Sequence, residues 1–321
     1  MIFLINLLSS FLISLLAVPV VRSIGIKNNY FDRREEKKDL KELKVRIGGL
    51  AILISFLLSL VFIYFLFGSR IELINTLKLK VIIISSVLIS IVGIVDDIKS
   101  LSPLIRLIFE LFISSYIWKE GIRIDFGIAS LFDISFLDQN TFLLISFLLT
   151  ILWIVGLINA INWIDGLDGL ACGASIIYLF FIFIFGSLSN NILVCLLSTS
   201  LIGSNLGFLK YNLRPAKIIM GDGGSYFNGF LLSILGLLSV GNFSYGLNFL
   251  ILLLLFFIPI VDMINVIILR LINNKSPFVA DRNHIHQRLI DKGINQDKTV
   301  NILYLVSIFT CSISLIIFYF K

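Results

Sequence analysis

Apolar residues in this chain fall into long blocks separated by short polar interruptions. Ten blocks can be drawn, at 2–21, 47–67, 80–95, 104–118, 141–162, 170–186, 191–209, 225–241, 247–269 and 299–320. Runs approaching ~20 apolar residues match a helix crossing a ~30 Å hydrocarbon layer. The pattern predicts an all-α integral membrane protein of about ten transmembrane helices, with residues 1–321 forming one polytopic domain. The first block has no basic stretch before it and no small-x-small cleavage site, so it reads as an uncleaved first span.

Composition agrees with the pattern. Of 321 residues, 58% are apolar and 14% charged, with a mean hydropathy of +1.02. A water-soluble domain has about 45–50% apolar and about 25% charged residues. Cys172, Cys195 and Cys311 all lie in apolar segments without CxxC spacing, so they read as small hydrophobes rather than a disulfide framework or a zinc site.

The net charge of +6 is placed for a lipid bilayer, not for nucleic acid. Alternating loops put twenty Lys and Arg on one side and six on the other. The positive-inside rule assigns the richer side to the cytoplasm and both termini to the outside. The first loop on the richer side, KNNYFDRREEKKDLKELK, carries both charge signs and reads as a solvated segment near anionic headgroups.

With that topology, four polar clusters fall on the cytoplasmic side: IVDDIKSL (94–101), NAINWIDGLDGLA (159–171), NLRPAKIIMGDGGS (212–225) and SPFVADRNHIHQRL (276–289). Asp96 and Asp97 close the third block. They suit a metal-binding or proton-accepting pair, and equally a helix stop. Asn159, Asn162, Asp165 and Asp168 recur every three residues, so neighbours share a face while the segment stays helical. The Asp-Gly-Leu-Asp-Gly run then breaks the helix. Asp222 sits in a Gly-rich helix entry, where free N–H groups and a carboxylate suit phosphate and Mg²⁺. His284 and His286, the only histidines, share a polar loop with Asp281 and Arg282 and suit phosphate contact or proton transfer. Asp262 lies inside an apolar block, in either a site role or a pair with Asn265 or a neighbouring helix.

Carboxylates, glycines, Arg and His on one membrane face describe a metal-assisted phosphoryl site acting between a lipid and a water-soluble substrate. An ion transporter is a rival for polar residues in spans, but it predicts them near mid-bilayer.

In their order, DDIKSL, NAINWIDGLDGLA, N-x-x-PA-x-x-x-MGD-x-GS and SPF-x-x-DR-x-HIH resemble the polyprenyl-phosphate N-acetylhexosamine-1-phosphate transferases, a superfamily that includes the phospho-MurNAc-pentapeptide translocase. The resemblance covers roughly residues 46 to 290. It implies attack of polyprenyl phosphate on the β-phosphate of a UDP-sugar, with release of UMP and with Mg²⁺, or Mn²⁺, as cofactor. By motif position, Asp222 would hold the metal and Asp96 and Asp97 would serve the acceptor phosphate. Asp165 and Asn162 would line the centre, with Asn159 beside them. Asp168 and Asn212 would contact the nucleotide, and Arg282, His284 and His286 the sugar or diphosphate. A homodimer is compatible with this reading. Gln287 follows His-Ile-His where the translocase branch carries three histidines in a row, which favours the N-acetylglucosamine branch. Lys44 and Arg46 match no motif and have no assigned role.

Overall fold

The computed structural model describes residues 1–32, 44–68, 76–124, 138–241, 247–276 and 283–320, and these are all helical apart from short connections. In chain order the helices are α1 (Ile2–Lys27), α2 (Gly49–Phe67), α3 (Thr76–Lys99), α4 (Pro103–Lys119), α5 (Gln139–Ile164), α6 (Leu170–Leu188), α7 (Ile192–Asn212), α8 (Gly221–Val240), α9 (Leu247–Leu255), α10 (Phe257–Ile272), α11 (Ile285–Asp291) and α12 (Gln296–Phe320).

Among the described residues eight helices are long and apolar enough to cross a membrane, and α9 with α10 makes a ninth if the bent pair is one span. Two of the ten predicted spans depart from a straight helix of full length. Helix α4 has 17 residues, which at 1.5 Å per residue gives about 25 Å, at the short end of membrane-crossing helices. The block 247–269 is broken at Phe256, where the two halves meet at 83°. Pro259 has no N–H to donate to the carbonyl of Leu255 four residues back, and its ring collides with a continuous helix there. The freed Leu255 carbonyl instead accepts from Cys311 Sγ at 3.3 Å.

Helix α8 is the centre of the bundle, with nearly every residue buried. Its partners approach through small residues, as expected where lipid removes the hydrophobic drive between helices. A Cβ on Gly224 would collide with Gly49 of α2, and one on Gly229 with the α5 backbone at Leu157 and Ile158. Polar side chains inside the bundle pair with each other. Asn205 Nδ2 donates to Asn228 Oδ1 at 2.8 Å and Asn228 Nδ2 returns a bond at 3.1 Å. Asn6 Nδ2 reaches the Leu196 carbonyl at 2.8 Å, tying the start of α1 to the start of α7. The outward faces of α1, α2, α4 and α12 stay apolar, with Leu16, Phe65, Phe112 and Phe309 exposed.

One end of the bundle gathers the joins α1–α2, α3–α4, α5–α6, α7–α8 and α10–α12. There residues 44–46 lie extended between Tyr30–Asp32 and Ile218–Ile219, through antiparallel pairing with Phe31 and parallel pairing with Ile218. The described parts of the four sequence clusters meet at this end.

Candidate active site

The extended segment 44–46 sets the first wall. Arg46 N donates to the Tyr30 carbonyl at 3.0 Å, and Ile219 N donates to the Val45 carbonyl at 2.9 Å. Alternation along an extended chain puts Lys44 and Arg46 on one side and Val45 on the other, where Val45 is buried. The first loop therefore ends in the site, although it reads as a solvated surface in the sequence.

Arg46 joins two acidic residues. Its Nε donates to Asp97 Oδ1 at 2.7 Å and its Nη2 to Asp222 Oδ2 at 2.7 Å. Burial disfavours the guanidinium charge, but Asp222 and Asp97 outweigh it, and the Arg46 pKa rises above its ordinary value. Asp97 also accepts from the N–H groups of Asp222 at 2.8 Å and Gly223 at 3.0 Å. It thus satisfies the free N–H groups that open α8 from a different helix, α3. The turn into α8 needs Gly221, whose φ is +69°. A Cβ there would also meet the Arg46 carbonyl and the Asp97 carboxylate.

Asp96 takes a different arginine. It accepts from Arg106 Nη1 at 2.7 Å and from Leu101 N at 2.6 Å. Arg106 Nη1 also reaches Tyr226 Oη at 3.1 Å. Asn162 Nδ2 donates to Asp222 Oδ1 at 2.7 Å and to Ser225 Oγ at 2.9 Å. Asn159 does not join it. One turn earlier on α5, its Nδ2 donates to Glu110 Oε2 of α4 at 2.6 Å, because residues three apart on a helix diverge by about 60°.

Helix α5 stops at Ile164, and the Asp-Gly-Leu-Asp-Gly turn carries the chain to α6 through Gly169, at φ +80°. Asp168 binds Lys44 Nζ at 2.7 Å and accepts from Ala216 N at 3.1 Å. Asn212 Oδ1 accepts from Gly169 N at 3.1 Å, and its Nδ2 donates to the Ile218 carbonyl at 2.9 Å. Asn212 therefore fixes the 165–169 turn to the loop before α8.

The histidines lie beside this turn. His284 Nδ1 bonds Asp262 Oδ2 at 2.8 Å, and Ile285 N donates to Asp262 Oδ1 at 2.6 Å. Asp262 thus ties α10 to the start of α11, rather than pairing with Asn265. The His284 and His286 rings stack with centroids 5.5 Å apart. His286 is buried against Gly166. Trp163 lies edge-on to His284 at 5.7 Å and has the Arg270 guanidinium 4.8 Å from its ring centre. Arg282 lies outside the described residues.

These segments enclose a cavity of about 360 Å³, lined by Asn162, Asp165, Asp168, Asn212 and Asp222 of the predicted set, with Asp32, Lys44, Arg46 and Gln296 added. The volume falls within the roughly 300–1,000 Å³ of small-ligand pockets. Asp96, Asp97, Asn159, His284 and His286 are not among its lining residues. Sequence reasoning missed Lys44, Arg46 and Arg106. The only available signal was the Lys-x-Arg alternation just before Gly48 and Gly49.

The lining holds four carboxylates, Asp32, Asp165, Asp168 and Asp222, against the two cations Lys44 and Arg46. An acidic cavity repels a free diphosphate. Its hard oxygen donors fit Mg²⁺, which takes one or two carboxylates and completes its shell with water and substrate phosphates. Among the described residues no three acidic, His or Cys side chains form a protein-only cage.

Residues 79–240, half of the chain, match the family model described as glycosyl transferase family 4. The chain belongs to glycosyl transferase family 4. It is 35% identical over 318 residues to a probable undecaprenyl-phosphate N-acetylglucosaminyl 1-phosphate transferase of Bacillus subtilis, covering 98% of this chain and 85% of that one. It is 29% identical over 281 residues to the decaprenyl-phosphate N-acetylglucosaminephosphotransferase of Mycobacterium leprae, covering 81% and 70%. A phospho-N-acetylmuramoyl-pentapeptide-transferase of Clostridium beijerinckii matches at 41% identity, but over only 69 residues, 22% of this chain and 21% of that one. The family segment 79–240 runs from α3 to the end of α8 and carries Asp96, Asp97, Asn162, Asp165, Asp168, Asn212 and Asp222.

Proposed function

We propose that this protein transfers N-acetylglucosamine 1-phosphate from UDP-N-acetylglucosamine to a polyprenyl phosphate of the undecaprenyl type, releasing UMP. One observation carries the proposal: Asp165 and Asp168 of one turn, Asn212 at a helix end and Asp222 at a helix start, three separate segments, line one acidic cavity at the bundle end. The family relatives named for this reaction support the choice of sugar and lipid, the first of them along almost the whole chain.

The donor diphosphate would enter beside Asp222, with Lys44 and Arg46 as its cationic contacts and the turn 165–169 against the nucleotide. Mg²⁺, held by Asp222 in the cavity that Asp165 also lines, would neutralise the diphosphate charge. The acceptor needs little help as a nucleophile, since the second ionisation of a phosphate monoester lies near about pH 6. Placement matters more. Arg106, with 26% of its side chain exposed and the rest fixed by Asp96, suits the acceptor phosphate. Leu104, Ile105 and Ile108, exposed beside it on α4, suit a prenyl chain. Asp96 and Asp97 would thereby serve the acceptor and the α8 N-terminus by holding arginines in place.

We place the cavity on the cytoplasmic face of the plasma membrane. The loops that meet at the cavity end carry the twenty Lys and Arg residues, and UDP-sugars are water-soluble donors. Purified protein should release UMP from UDP-N-acetylglucosamine only with undecaprenyl phosphate and Mg²⁺, and Asp222→Asn should abolish that release. Activity retained by Asp222→Asn removes Asp222 from the metal role. Exchange of labelled UMP into a panel of UDP-sugars should favour the N-acetylglucosamine donor.

A further inference from the structure

Arg46 holds both carboxylates by separate arms of one guanidinium, and the two contacts are not equivalent. Asp97 has no exposed side-chain surface, and two backbone N–H groups of α8 bind it as well. The Asp222 side chain is 13% exposed and lines the cavity. The Arg46 backbone is fixed by the pairing of residues 44–46, so only the side chain is free to turn. The Asp97 contact is therefore the anchored arm and the Asp222 contact the exchangeable one. Arg46 stands where a divalent cation would otherwise neutralise Asp222, and one carboxylate oxygen does not serve both fully.

We propose that Arg46 is a charge-exchange residue of the donor site: in the substrate-free protein it neutralises Asp222, and an entering nucleotide diphosphate draws its outer arm away and opens Asp222 to a divalent cation. This rests on the diphosphate-donor reading given above. A guanidinium fork serves carboxylate and phosphate oxygens with the same geometry, so the exchange keeps its hydrogen bonds while the partner changes. Diphosphate and cation then bind cooperatively, each raising the affinity of the other by the same factor. The cation alone must compete with an arginine that two acidic residues hold.

The test uses the full chain in lipid nanodiscs and Mn²⁺ as a paramagnetic probe, titrated with and without UDP, after correction for Mn²⁺ bound by UDP in protein-free buffer. In the wild type, UDP should tighten Mn²⁺ binding. In Arg46→Gln, nucleotide-free Mn²⁺ affinity should rise by about tenfold, and the enhancement by UDP should shrink. Arg46→Lys, whose single ammonium lacks the fork, should lie between the two. Nucleotide-free affinity no tighter in either variant than in the wild type overturns the exchange. If Arg46→Gln does not fold, Arg46→Lys against wild type decides by the same criterion. A wild type that binds no UDP at all overturns the donor reading itself, so the two failures are told apart.

Discussion

Asp97 and Asp222 are both bound by Arg46, yet their surroundings give them different work. Asp97 accepts two backbone N–H groups and one arm of the guanidinium inside the bundle, so its charge is structural. Asp222 shares its oxygens between Arg46 and Asn162 and faces the cavity. Asp97→Asn would present an amide N–H₂ to donors that need an acceptor, at an expected cost of about 3 kcal/mol. The thermal midpoint in detergent should therefore fall clearly for Asp97→Asn and much less for Asp222→Asn. Equal midpoints for both variants would contradict this division. A similar contrast separates Asn162 from Asn159: only the first reaches the site, while the second secures Glu110.

At the level of elements, one helix start shapes the site and one helix junction lies beside it. The entry to α8 requires a residue at φ +69° with no Cβ, because the Arg46 carbonyl and the Asp97 carboxylate occupy that space. Gly221→Ala combines left-handed strain of about 1 kcal/mol with a steric collision, so Mg²⁺-dependent UMP release should be lost even where the protein still purifies. Full activity in Gly221→Ala would rule out the tight turn as a requirement. The junction is that of α10 and α11, where Asp262 accepts from both His284 and Ile285. Asp262→Ala leaves the buried His284 ring and the partly buried Ile285 N–H without their acceptor, so limited proteolysis should cut between α10 and α11 sooner than in the wild type. An unchanged digestion rate would mean that other contacts hold this junction.

For the whole molecule, the expected orientation is testable with impermeant thiol reagents, because Cys172, Cys195 and Cys311 are all buried. Single cysteines replacing the exposed Lys217 and Lys292 at the cavity end should label only from the cytoplasmic side. A cysteine replacing the exposed Asn190, at the opposite end between α6 and α7, should label only from outside. Labelling of all three from one side would contradict the proposed threading.

The sequence by itself determined the helical membrane class, because apolar blocks of bilayer length are a local property of the chain. It also determined which residues to watch: Asn162, Asp165, Asp168, Asn212 and Asp222 line one cavity, and each lies in a polar cluster visible without a structure. Span number was less legible. The length of α4 and the break before Pro259 depend on where helices stop, and hydropathy blurs this. Only the tertiary structure decided which polar groups meet. Arg46 lies 51 residues from Asp97 and 176 from Asp222, and Asp262 lies 22 from His284. Such pairs form because packing brings helix ends together, and a charge in a sequence carries no mark of the partner that packing will give it.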